Sequence, residues 1–205
     1  KGDLLLNQGK ASEAILCYQQ AVRQNPDYAE AFNNLGIAFK HQSRLNEAIA
    51  CYRRALQQKP DYAAAWNNLA NAVREQGNVA EARRHYQKAL DLKPDFAEVL
   101  NNLGNVLMEE GRLEEAILKF QTALQIKPDY AEAHNNLGNV LQEQKKLSAA
   151  IHSYQTAIKF NPLYYRAFSN LGSACQKQGR LNQALICYQK AIELNPDYFE
   201  ALNNA

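Results

Sequence analysis

No stretch of the chain approaches the roughly 18 consecutive apolar residues that a membrane-spanning helix needs. Neither sign of charge dominates. The net charge is +2, so there is no strong electrostatic pull toward nucleic acid or a membrane surface, and neither is expected as a partner. The four histidines, His41, His85, His134 and His152, are scattered, and none has metal-ligand spacing with a cysteine or another histidine. His134 sits at an apolar place and reads as a core residue rather than a ligand. There is no glycine loop of the kind that cradles phosphate, and no nucleophile can be paired with a base. No catalytic residue, metal or cofactor is therefore expected. No signal peptide pattern is visible, and Lys1-Gly2-Asp3 reads as the start of a chain already cut.

Cysteine is also scarce. Cys17, Cys51 and Cys187 recur at one place in a repeat, and Cys175 stands apart. Equivalent places in stacked helical repeats lie beyond the roughly 7 Å Cα separation that a disulfide tolerates. All four read as small, partly buried apolar residues, with free reactive thiols as the lesser alternative. That usage fits a reducing compartment, and a cytoplasmic location is the expectation.

What the chain does have is a period. Its six prolines are Pro26, Pro60, Pro94, Pro128, Pro162 and Pro196, each 34 residues after the last with no insertion. Around them recur Asn25-Pro-Asp-Tyr28, Lys59-Pro-Asp-Tyr62, Lys93-Pro-Asp-Phe96, Lys127-Pro-Asp-Tyr130, Asn161-Pro-Leu-Tyr164 and Asn195-Pro-Asp-Tyr198. A fixed period of this size marks a stacked array, in which no unit buries its apolar face without its neighbours. The 46% hydrophobic content is that of an ordinary folded chain.

The period divides the chain into one array over 1–205. A partial unit (1–28) precedes complete units at 29–62, 63–96, 97–130, 131–164 and 165–198, and a partial unit (199–205) follows. The spacing predicts two helices per unit. In 29–62, an advance of about 100° per residue gathers Phe32, Leu35, Gly36 and Phe39 on one face. It sends Glu30, Asn33, Asn34, Ile37 and His41 to the opposite face. Gln42-Ser43-Arg44 is the turn, and a second helix over 45–58 turns Ala48, Ile49, Tyr52, Ala55 and Leu56 inward. Pro60 stops it, and Asp61 is placed to cap the next helix with its carboxylate. The first unit repeats the second half of this plan, with Gln8-Gly9-Lys10 as a turn before a helix over 11–24. Gly77, Gly111 and Gly179 sit at the corresponding turns as helix caps. Gly36, Gly104 and Gly138 allow close helix approach, and Tyr52, Tyr86, Phe120, Tyr154 and Tyr188 fill the gap beside them.

This pattern of aromatic, Leu, Gly, aromatic, Ala, aromatic, Ala and Pro resembles the tetratricopeptide repeat over essentially all of the chain. The resemblance implies an all-α fold, a right-handed α-solenoid superhelix of helix-turn-helix units. It also implies a non-catalytic scaffold that binds partner proteins or extended peptides in a concave groove. Leu100, His134, Arg83, Leu163 and Arg166 depart from the pattern.

A closer likeness rests on a recurrent pair: Asn33-Asn34, Asn67-Asn68, Asn101-Asn102, Asn135-Asn136, Ser169-Asn170 and Asn203-Asn204. Phrases such as Ala131-Glu-Ala-His-Asn-Asn-Leu-Gly-Asn139 resemble the superhelical repeats of O-linked N-acetylglucosamine transferases and their bacterial relatives. In that family an asparagine ladder lines the groove and holds the backbone of extended substrates. The resemblance would make Asn34, Asn68, Asn102, Asn136 and Asn170 such a ladder, with Asn204 continuing it, and the chain the substrate-recognition arm of a larger glycosyltransferase.

Chemically the ladder makes sense, because an amide side chain carries donors and an acceptor and can pair with any peptide backbone. A second reading, compatible with the first, has these amides bridging one repeat to the next. Asn67, Asn101 and Asn135, with Asn33, are expected beside the ladder on the groove face, as are Asn71, Asn105 and Asn139. Glu75, Glu98, Glu109, Glu132 and Glu143 join them, with Lys40, Arg166 and Lys177 toward the ends, so a basic or polar extended segment is the better-matched occupant. The half-helix Phe199-Glu-Ala-Leu202 lacks a partner within the chain, and end-to-end self-association through the partial terminal repeats is expected.

Overall fold

The computed structural model describes residues 2–198. The expected start of a seventh unit, with Asn203, Asn204 and the Phe199–Leu202 half-helix, lies outside the described residues. Those described form twelve α-helices and no strand. After α1 (Gly2–Asn7) and α2 (Ala11–Gln24) come five helix pairs. They are α3 (Ala29–His41) with α4 (Leu45–Gln58), α5 (Ala63–Glu75) with α6 (Val79–Leu92), and α7 (Ala97–Glu109) with α8 (Leu113–Ile126). The last two are α9 (Ala131–Glu143) with α10 (Leu147–Phe160) and α11 (Tyr165–Lys177) with α12 (Leu181–Leu194). The helices fall where the periodicity places them, and the chain is an all-α solenoid of helix pairs.

The chain divides into two compact units, 1–99 and 100–205. In the first, α1 packs on α2, α2 on α3, α3 on α4, α4 on α5 and α5 on α6. In the second, α8 packs on α9, α9 on α10, α10 on α11 and α11 on α12. Each unit hides small residues of the second helices completely: Ala48, Ala55, Ala82 and Ala89 in one, Ala116, Ala123, Ala150 and Ala157 in the other. Beside them the large aromatics are also sealed, with Tyr86, Phe120 and Tyr154 at 0% exposure.

The close approach is tight enough to dictate residue choice. A methyl group added to Gly36 would come within 2.5 Å of the Tyr52 ring, and one added to Gly138 within 2.5 Å of Tyr154. In the repeat 63–96 this place is Ala70, itself fully buried.

The turns between the helices of a pair need a left-handed residue. Gly77 and Gly111 supply it with φ of +86° and +74°. At the same register Ser43 and Lys145 adopt φ of 58° and 61°, a conformation that side chains resist.

One expectation fails. Asp61 does not cap α5. The N-cap is Tyr62, with no side-chain cap bond, and the Ala63 amide reaches the Asp61 carbonyl at 3.0 Å. Backbone bonds hold the turn, and the preceding residue sets its chemistry in one of two ways. Where it is asparagine, the side chain folds over the proline: Asn25 Oδ1 accepts from the Asp27 amide at 3.1 Å, and Asn161 Oδ1 accepts from the Leu163 amide at 3.1 Å. Where it is lysine, the ammonium lies over the following aromatic ring, at 5.2 Å for Lys59 and Tyr62 and 4.9 Å for Lys127 and Tyr130.

Candidate functional site

The two members of each asparagine pair have different fates. The first is buried: Asn33 is 3% exposed, Asn67 8%, Asn101 2% and Asn135 4%, and Ser169 takes the same place at 2%. The expectation that Asn67, Asn101 and Asn135 line an open face is thus corrected. Helices α3, α5, α9 and α11 each pack on the helix before and the helix after them, so more of their girth is covered than a single apolar arc suggests. A buried amide needs partners, and the second asparagine of the next repeat supplies one. Asn68 Nδ2 donates to Asn33 Oδ1 at 2.9 Å in the first unit. In the second unit, Asn136 Nδ2 donates to Asn101 Oδ1 at 3.0 Å and Asn170 Nδ2 to Asn135 Oδ1 at 2.9 Å.

The second asparagines, Asn34, Asn68, Asn102, Asn136 and Asn170, are half-buried. So are Asn71, Asn105 and Asn139, one helical turn further on. Of these last, Asn71 and Asn139 are tied to the tyrosine of their own repeat, a link that was not anticipated. Tyr86 Oη donates to Asn71 Oδ1 at 2.5 Å, and Tyr154 Oη donates to Asn139 Oδ1 at 2.9 Å. Asn139 Oδ1 also accepts from Asn170 Nδ2 at 3.1 Å, so one oxygen joins the phenol of its own repeat to the amide of the next. In the first unit Asp3 takes this role, accepting from Tyr18 Oη and, at 3.0 Å, from Asn34 Nδ2. Burial raises the phenols of Tyr52 and Tyr154 well above their ordinary range, keeping them protonated. Phe120 cannot make this bond to Asn105. The signal available in sequence was the 15-residue spacing of Asn71 and Tyr86, repeated by Asn139 and Tyr154.

Charge on this face differs between the units. In the first, Lys40 pairs with Glu75 at 3.2 Å, and both line a cavity of about 300 Å³ with Asn71, Arg74 and Tyr86. In the second, Glu132 approaches the Tyr130 hydroxyl at 3.5 Å. The four cysteines are free, Cys175 buried and the others partly so. Burial pushes the thiols of Cys51 and Cys187 up to about 11, which keeps them unreactive near neutrality. Among the described residues, no three histidine, cysteine or acidic side chains are grouped to hold a metal, and no helix is long and apolar enough to cross a membrane.

His134 is not the core residue its register suggested. It is half-buried, stacks on Phe160 with centroids 5.6 Å apart, and its Nε2 lies 2.9 Å from the Pro128 carbonyl. Trp66 makes the matching contact in the first unit, its Nε1 donating to the Pro60 carbonyl at 2.9 Å. The sequence reading passed over the group around that tryptophan. His85 lies against Trp66 with ring centroids 5.2 Å apart, Glu81 holds His85 Nε2 at 3.3 Å, and Arg53 reaches Glu81 at 3.3 Å.

Family models described as tetratricopeptide repeat match residues 1–63, 51–84, 131–164 and 165–198, and one described as TPR repeat matches 70–111 and 104–145. No curated protein sequence matches significantly. Among solved structures, YrrB, described as a TPR protein with an unusual peptide-binding site, is 24% identical. The match covers 91% of this chain and 96% of that one, at a TM-score of 0.67. Pseudomonas aeruginosa PilF is 20% identical over 98% of this chain and 92% of its own, at a TM-score of 0.86. A chain of the Cut9–Hcn1 hetero-tetramer of APC/C is 20% identical with a TM-score of 0.90, and this chain spans 40% of its length. At such identities the likeness speaks for the fold.

Proposed function

Because the chain belongs to the tetratricopeptide-repeat family, we propose that it is a non-catalytic scaffold holding extended peptide segments of partner proteins along its asparagine-bearing faces. The observation that carries this reading is the half-exposure of the second asparagines. Each amide has two N–H donors and one carbonyl acceptor. In Asn68 and Asn136 one donor goes to the preceding repeat. A second N–H and the carbonyl are left to meet a peptide C=O and N–H. The bond to the preceding repeat fixes the amide plane, which lowers the ordering cost of binding. YrrB, by its description, has a peptide-binding site, which agrees with this use of the fold.

The test is binding of fluorescent extended peptides of polar or basic composition to the wild type and to the Asn102→Ala, Asn136→Ala double variant. Loss of binding with the helical content retained is expected. Unaltered binding would overturn the proposal.

The recurrence of that same second asparagine favours one further reading, that the array selects substrates for a larger glycosyltransferase. A full-length gene product carrying a catalytic domain is then expected, and one without such a domain would sink it. We also infer weak self-association. Leu181, Leu185 and Ile186 of α12 are 64%, 43% and 65% exposed, whereas Ile151, at the register of Leu185, is 6% exposed. Sedimentation showing only monomer at high concentration would contradict this. Unreactive thiols fit a cytoplasmic setting.

A further inference from the structure

The repeats serve as an internal comparison, and three departures from it meet at one place. The register position of Arg53 is glutamine in every other repeat, as Gln19, Gln87, Gln121, Gln155 and Gln189. Trp66 is the single tryptophan of the chain, and its position elsewhere is Phe32, Leu100, His134 or Phe168. The position of His85 is otherwise Cys17, Cys51, Lys119, Ser153 or Cys187. These three side chains, with Leu56, Gln57 and Leu69, line a cavity of about 350 Å³ in the first unit. By helical register, Trp66 and Leu69 lie on the side of α5 away from Asn68 and Asn71. The cavity is therefore separate from the asparagine-bearing face.

We propose that this cavity receives a bulky apolar side chain from an acidic segment of a partner protein. The floor is apolar, with Leu56 7% and Leu69 2% exposed. The indole wall is set in place, since its only polar atom already donates to the Pro60 carbonyl. What remains of the half-buried indole can offer a ligand only apolar contact. The imidazole of His85 packs against it and is held by Glu81.

Charge selects the flanks. The Arg53 side chain is 59% exposed and makes one 3.3 Å contact with Glu81. Glu81 keeps other partners if Arg53 turns outward, because Asn78 Nδ2 donates to its Oε2 at 2.7 Å and His85 lies at its Oε1. Arg54 stands beside the rim, donating to Gln57 Oε1 at 3.2 Å, and Arg84 is close enough to act on His85. Arg53 on the cavity wall, with Arg54 at Gln57 and Arg84 near His85, gives these surroundings a positive bias that favours acidic residues on either side of the inserted group and penalises basic ones.

Trp66 is its own reporter. The 205-residue chain is titrated with a tryptophan-free peptide bearing a central Phe between Asp and Glu residues. Two control peptides carry Ala for Phe, or Lys for the acids. A saturable change in Trp66 emission is expected with the first peptide, none with the Ala peptide, and at least tenfold weaker binding with the Lys peptide. Arg53→Gln installs the residue native to that register, so the fold is retained, and it is expected to weaken the acidic peptide at least tenfold. The Asn102→Ala, Asn136→Ala variant is expected to respond as wild type, which separates this site from the asparagine-bearing face. The proposal is overturned by no saturable change, by equal responses to the acidic and basic peptides, or by undiminished binding to Arg53→Gln.

Discussion

The repeats 63–96 and 131–164 share a register and solve it with different chemistry. Each seals a tyrosine whose hydroxyl reaches an asparagine of its own first helix, Tyr86 to Asn71 and Tyr154 to Asn139. Yet the first has Ala70 where the second has Gly138, and turns at Gly77 where the second turns at Lys145. The first stacks Trp66 on His85, and the second stacks His134 on Phe160. The common part is what a stacked repeat needs in order to fold. The differing part is where a single repeat can carry strain or acquire a surface of its own.

The shared part should show the largest effect. Tyr154→Ala removes a fully buried ring and is expected to cost about 3–5 kcal/mol, read from denaturant unfolding. A cost below 1 kcal/mol would mean that the ring does not anchor the repeat. Gly138→Ala comes next. The added methyl meets the Tyr154 ring at 2.5 Å, and overpacking of this kind costs about 1–3 kcal/mol. A stabilised variant would show that the second repeat accommodates alanine as freely as Ala70 is accommodated in the first.

The turn reverses the sign. Lys145 holds φ at 61°, and Lys145→Gly is expected to stabilise by about 1 kcal/mol, raising the melting temperature. The converse change, Gly77→Lys, is expected to lower it.

The smallest effect is a pH dependence confined to the first repeat. Burial lowers the His85 pKa below its ordinary value, partly offset by Glu81, with Arg53 and Arg84 adding to the lowering and Trp66 covering one ring face. Above about pH 7.5 the imidazole is neutral in both folded and unfolded chains, and stability is independent of it. As the pH falls below that, the unfolded chain takes up the proton first, and stability declines until the folded-state value is reached. His85→Cys is expected to lose this component of the slope between about pH 7 and pH 5, measured by denaturant midpoints. An unchanged slope would deny it.

Much of the fold was legible because every repeat states it again. The proline interval gave the boundaries, and α2 and α4 begin and end where the apolar spacing places them. The asparagine pairs were legible as a pattern but only half legible as chemistry. A helical wheel separates apolar from polar but does not count neighbours, so it left Asn101 and Asn135 open although both are buried. The Asp61 cap failed for a local reason, since the backbone turn was closed without the carboxylate. The Trp66 cavity was visible only after α4, α5 and α6 brought three singular residues together.

The central claim is that the second asparagines serve both the stack and a bound peptide. The direct measurement is peptide affinity and unfolding midpoint on the same preparations of wild type, Asn135→Ala and Asn136→Ala. The account predicts that Asn135→Ala lowers stability, by about 1–3 kcal/mol for the loss of a buried, hydrogen-bonded side chain, with peptide affinity retained. It predicts that Asn136→Ala also loses stability, because the buried Asn101 Oδ1 is left without this donor, and in addition weakens peptide binding at least tenfold, about 1.4 kcal/mol. If Asn136→Ala binds peptide as the wild type does, the ladder serves only the stack and the claim is contradicted.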